Sequence, residues 1–188
     1  MNNFEYYNPV RVIFGAGELN RIGQETKKLG NNVCLVSYKE LGVLTSLTER
    51  IGQLLETEGI TVNTFYEIEP NPEIRTIEKG VQMCREKSVD CIIGIGGGSA
   101  MDAAKAIAAG FYYEGDLWNM VNSRHDTQSA IPPVKALPKL MVPTLPATGS
   151  EMNLCAVVSN GELKEKSYIW AQADSLEVGH GIGPVHHF

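Results

Sequence analysis

Three adjacent glycines, Gly96, Gly97 and Gly98, followed by Ser99 and Asp102, are the residues whose type and spacing most directly imply chemistry. Without Cβ atoms such a turn bends sharply and lets a charged ligand approach the main chain. Before it runs Cys91-Ile92-Ile93-Gly94-Ile95, with the length and isoleucine content of a strand buried on both faces. After it comes a helical pattern whose small residues Ala103, Ala104 and Ala108, with Ile107, allow close packing on a sheet. Strand, glycine turn and helix together aim free backbone N–H groups at an anion such as pyrophosphate. Ser99 and Asp102 have the spacing of a capping box, which predicts a helix opening at Ser99. The string is not a Walker A loop, because no Gly-Lys-Ser/Thr ends it. It also departs from G-x-G-x-x-G, since the sixth position of Gly94–Ser99 is serine. A connection that serves only tight packing is the competing reading, although three successive glycines exceed what packing requires.

A second polar turn of small residues, Leu145-Pro146-Ala147-Thr148-Gly149-Ser150-Glu151, follows the apolar run Leu140 to Thr144. In a parallel sheet it falls at the carboxyl edge beside the glycine turn, where open α/β sheets bind ligands.

The elements that must position both turns alternate along the chain. Asn8 to Gly15 reads as a short strand, Glu18 to Leu29 as a helix and Val33 to Ser37 as a central parallel strand. Leu44 to Glu58 carries apolar residues at helical spacing, and Thr61 to Ile68 reads as a strand. Glu69-Pro70-Asn71-Pro72 is a break, since two prolines fit neither a helix interior nor a central strand. Glu73 to Lys87 is helical, with Ile74, Ile77, Val81 and Cys84 on one stripe. Asp116 to Val121 forms one or two amphipathic turns with Trp118 buried, Asn122 to Pro133 is a loop, and Ala156 to Ser159 is a further strand. Such alternation calls for right-handed crossovers and a Rossmann-like α/β parallel sheet with flanking helices.

At 188 residues the chain is one domain, or one with an appendage. A net charge of −6 disfavours nucleic acid and acidic membrane surfaces as partners. The cysteines Cys34, Cys84, Cys91 and Cys155 lie far apart without a C-x-x-C, which fits a reduced, cytoplasmic setting. No apolar signal core opens the chain and no run approaches a membrane span, so a soluble cytosolic protein is expected.

These residues resemble the iron-containing alcohol dehydrogenases, especially the bacterial butanol dehydrogenase branch. The matching strings are Phe14-Gly15-Ala16-Gly17, Glu69-Pro70-Asn71-Pro72, Gly96 to Lys105, Thr144 to Asn153 and Ala156 to Asn160, in family order and spacing. The resemblance covers residues 4–166 and implies a nicotinamide-nucleotide-binding domain, leaving 167–188 as a non-family tail. It implies that Gly97, Gly98 and Ser99 hold the pyrophosphate, with Asp102 and Lys105 at the same cleft. Thr144, Thr148 and Ser150 would line the ribose and nicotinamide side, and Lys166 would also reach the cofactor. From the residues alone, Asp102 serves equally well as a cap partner and Lys105 as a solvated helix lysine.

After the strand ending at Ser37, an NAD-preferring relative would carry an aspartate that binds the ribose hydroxyls. Here Ser37, Tyr38 and Lys39 stand there, with no acid before Glu40. A hydroxyl donor and a cation suit a 2′-phosphate, so NADP(H) is favoured over NAD(H), unless Tyr38 and Lys39 merely cap a surface turn.

Family members are about twice this long, and their second, all-helical domain supplies one Asp and three His ligands to iron or zinc. Residues 167–188 do not continue that pattern, so the metal domain is expected to be absent and the chain shortened. His180, His186 and His187, with Asp174, are weak metal candidates, because Gly179, Gly181, Gly183 and Pro184 argue against a helix that would converge them. His125 beside Asp126 is a poor catalytic pair, because neighbours in sequence rarely face each other usefully.

The implied activity is hydride transfer between the nicotinamide nucleotide and a small primary alcohol or aldehyde. For this chain alone the alternative is nucleotide binding without turnover. An exposed apolar cleft would then favour self-association.

Overall fold

The computed structural model describes residues 8–123, 130–170 and 180–183. Its centre is three strands, β2 (Asn32–Tyr38), β4 (Cys91–Gly96) and β5 (Lys139–Pro143), where nearly every residue is buried. The alternation of side chains explains that burial. Val33 and Leu35, Cys91, Ile93 and Ile95, and Leu140 and Val142 face one apolar cluster. Cys34 and Val36, Ile92, and Met141 face the other.

β1 (Arg11–Phe14), β3 (Thr61–Ile68) and β8 (His180–Gly183) complete a six-stranded sheet in the order β1-β8-β5-β4-β2-β3. Every pairing in it is parallel. Helices α1 (Ile22–Lys27) and α2 (Thr45–Thr57) contribute Ile22, Ile51 and Leu55 to one face. On the other face, α3 (Ile74–Glu86) contributes Ile77, Val81 and Cys84, and α4 (Gly98–Gly110) contributes Met101, Ala104 and Ile107. Gly94 lets α4 lie close, because a Cβ there would stand 2.8 Å from both Ala104 Cβ and Met141 Sδ.

Most of the expected elements occur at their expected places. The helix expected from Glu18 to Leu29 opens as a 3-10 turn over Glu18–Arg21 before α1. Trp118 is buried within the short turn Leu117–Met120.

Three features differ from the reading of the sequence. Helix α4 begins at Gly98 with Gly97 as its N-cap and no side-chain cap, so Ser99 sits inside the first turn and the capping box does not form. The strand expected at Ala156 to Ser159 is β6 (Cys155–Asn160), which pairs antiparallel with β7 (Glu165–Trp170) in a separate ribbon. That ribbon rests on α3 and α4: Ser159 N–H donates to the Pro72 carbonyl at 2.8 Å, and Val157 N–H to Asp102 Oδ2 at 3.1 Å. The boundary drawn after residue 166 falls inside β7, and four residues from the stretch taken as a tail form β8. His125, Asp126, Asp174, His186 and His187 lie outside the described residues.

Candidate nucleotide site at the carboxyl edge

Because β3, β2, β4 and β5 are consecutive neighbours and parallel, the turns that leave them gather at one edge. The glycine turn lies at the middle. Gly96 has φ +140°, and a Cβ there would lie 2.8 Å from Tyr38 Cε2 and 2.9 Å from Ala100 Cβ, so this position requires glycine. The Gly96 carbonyl accepts from the Thr144 N–H at 3.0 Å, which ties the second polar turn to the first. A Cβ on Gly98 would meet Thr148 Cγ2 at 2.7 Å, so Thr148 sits directly over the helix start. With Gly97 as an uncapped N-cap, the N–H groups of α4's first turn have no acceptor inside the helix, and this end carries the positive part of the helix dipole.

Tyr38, at the end of β2, is half-buried, and its hydroxyl accepts the Gly97 N–H at 3.1 Å. Ser99 Oγ accepts the Asn71 N–H at 3.3 Å, and Asn71 Oδ1 accepts from Lys166 Nζ at 2.6 Å. The structure therefore brings together Gly97, Gly98, Ser99, Tyr38, Thr144, Thr148 and Lys166.

Asn71 belongs to the same group and was missed as a site residue. Its φ of +59° is a left-handed conformation that a non-glycine residue seldom adopts. The signal was present: an asparagine between two prolines tolerates that conformation best among ordinary residues.

Other candidates turn away from the edge. Asp102 is not a cap partner, and its carboxylate is engaged inside the fold. Its Oδ1 accepts from Ser150 Oγ at 2.5 Å and lies 3.1 Å from Lys105 Nζ, while Oδ2 takes the Val157 N–H. Lys105, read as solvated or at the cleft, is buried and donates to the Ser150 carbonyl at 2.9 Å, to Asn153 Oδ1 at 3.1 Å and to the Cys155 carbonyl. Burial pushes the pKa of its ammonium down, and the Asp102 carboxylate works against that shift. Ser150 is buried in the same clamp. Asp102 and Lys105 thus hold the second polar turn through Ser150.

Ser37 is also withdrawn. It is buried and its hydroxyl donates to the Ile95 carbonyl at 2.9 Å, stitching β2 to β4. Its place on the buried central strand β2 leaves it no route to a 2′-phosphate. Lys39 is exposed, with its N–H bound to the Ile68 carbonyl at 3.0 Å.

His180 opens β8. Among the described residues, no group of three His, Cys, Asp or Glu side chains is placed to hold a metal ion.

A parallel sheet covered by helices on both faces, with a glycine turn feeding an uncapped helix at its carboxyl edge, defines a Rossmann-like α/β domain. Sequence comparison narrows this class: the iron-containing alcohol dehydrogenase profile matches residues 9–174, and the chain belongs to that family. It is 44% identical over 174 residues to the probable NADH-dependent butanol dehydrogenase 1 of Bacillus subtilis (strain 168), covering 90% of this chain and 42% of that protein. To the NADPH-dependent aldehyde reductase YqhD of Escherichia coli (strain K12) it is 33% identical over 172 residues, covering 88% of this chain and 41% of that one. The crystal structure of NADH-dependent butanol dehydrogenase A from Thermotoga maritima matches with a TM-score of 0.83 at 32% identity, over 97% of this chain and 44% of that one. The chain thus spans less than half the length of these relatives.

Proposed function

We propose that these residues form the nucleotide-binding part of an NAD(P)(H)- and metal-dependent alcohol dehydrogenase or aldehyde reductase, acting on a small primary alcohol or aldehyde. The observation that carries this reading is the uncapped start of α4 at the carboxyl edge, inside the segment that matches the family. The N–H groups of Gly98 and Ser99, joined by that of Gly97 when its contact to Tyr38 is released, fit a pyrophosphate, since the helix dipole and the absence of Cβ atoms at both glycines favour an anion there. Thr144 and Thr148 would line the ribose and nicotinamide side, and Lys166, oriented by Asn71, would add a cation. Asp102, Lys105 and Ser150 act from behind as positioning residues. When bound, the nicotinamide supplies the hydride donor or acceptor.

The described residues do not fit a metal site, so no step through a metal is derived from them. The same observation favours a second reading for these residues on their own, in which they bind nucleotide without turning over substrate.

We favour NADP(H) over NAD(H). Ser37 no longer supports that preference, but Lys39 stays exposed and no carboxylate precedes Glu40 at the end of β2. Self-association is proposed from the exposure of Phe14 (76%) and Trp170 (58%), with Val12, Leu145 and Met152 also open to solvent. A cytoplasmic setting is proposed from four cysteines that form no disulfide. No described helix is long and apolar enough to cross a membrane.

The test is titration of the chain with NADPH and NADH, followed by NADPH-linked reduction of butyraldehyde with and without ferrous iron or zinc. Saturable binding with NADPH the tighter ligand is expected, and the absence of binding to either nucleotide overturns the reading. Turnover that needs added metal would favour the enzyme reading over the binding module. Light scattering that finds only monomer would remove the self-association proposal.

A further inference from the structure

We propose that Tyr38 is an internal competitor for the nucleotide, its hydroxyl occupying the Gly97 N–H until a phosphate oxygen displaces it. The inference rests on the nucleotide-binding reading above. Tyr38 ends β2, and its side chain crosses to the glycine turn of β4 rather than pointing to solvent. The phenol oxygen accepts from Gly97 N at 3.1 Å and lies 3.1 Å from where a Gly97 Cβ would stand, while the ring packs against Gly96. The chain therefore places one of its own oxygen acceptors on a donor that a bound pyrophosphate would use.

One N–H cannot serve two acceptors at full strength, so binding must break the Tyr38 contact or share it. The Tyr38 ring has no such conflict, and only its hydroxyl competes. The cost falls on every phosphate ligand alike, because it arises at the pyrophosphate position and not at the adenosine 2′-position. The phenol keeps its own proton, which could instead be donated to a bound phosphate, and the two roles make opposite predictions.

The experiment compares the chain with Tyr38→Phe, measuring Kd by calorimetry for NADPH, NADH and inorganic pyrophosphate, with an unfolding curve for each protein. The expected result is that Y38F binds all three more tightly, by a factor of about five, the equilibrium equivalent of one neutral hydrogen bond. The NADPH-to-NADH ratio should stay unchanged. Equal or weaker binding by a folded Y38F, with the unsubstituted chain still binding nucleotide, overturns the competitor role alone. A changed ratio does the same, because it would place Tyr38 at the 2′-position. Binding by neither protein to any of the three probes overturns the nucleotide reading and this inference with it.

Discussion

Two buried lysines, one behind the carboxyl edge and one at the start of β5, show how differently the same side chain can be accommodated. Lys105 is surrounded by acceptors: the Asp102 carboxylate, the Ser150 and Cys155 carbonyls and the Asn153 amide oxygen. Lys139 is just as buried, yet its Nζ has no hydrogen-bond partner among the described residues. Burial lowers the pKa of Lys139 to about 8, with the Lys105 ammonium adding to the shift and the Cys91 thiol opposing it. The first lysine holds two segments together. The second sits in the core as a group better kept uncharged.

The largest effect that would break this contrast is at Lys105. Lys105→Met should destabilise the chain by about 3 kcal/mol or more, because the Asp102 carboxylate would stay buried without its cation. Urea unfolding measures this, and a loss below about 1 kcal/mol would show that the clamp contributes little. Lys139→Met should move the other way, stabilising by about 1 kcal/mol, since an apolar side chain of similar length removes an unpaired polar group. A loss of stability in K139M would mean that the ammonium finds an acceptor after all.

The pH dependence of Lys139 has a fixed sign. Lys139 has a folded pKa of about 8, below the ordinary 10.5, so between those values the unfolded chain binds more protons. Stability from this group therefore rises with pH across that window and is absent below it. Thermal unfolding curves from pH 7 to 10 should show a steeper rise for the unsubstituted chain than for K139M. Parallel profiles for the two proteins would contradict the assignment.

The contrast also marks what could be read from the sequence. Val33 to Ser37, Cys91 to Ile95 and Leu140 to Thr144 announced strands through apolar runs, and the glycines placed a turn and a helix start after the second of them. Local pattern fixes such features because they depend on neighbours in the chain. Side-chain direction across the fold was not legible. The family resemblance implied Asp102 and Lys105 at the cleft, and local pattern allowed a cap partner and a solvated lysine, but the ribbon β6–β7 covers both. Nothing near Asp102 in sequence announces that ribbon, which contacts it from 55 residues away. Asn71 was overlooked for the opposite reason: its prolines were read as punctuation, while its contacts to Ser99 and Lys166 are long-range.

The order of strands carries a consequence for how the chain reaches its shape. β1, the first strand, pairs only with β8, the last one described, and β8 in turn bridges it to β5. During synthesis β1 therefore has no sheet partner until β8 has emerged, whereas β2 to β5 can assemble among themselves. The sheet should grow outward from β2 and β4, and the pairing of β1 with β8 should form in a late, slow step.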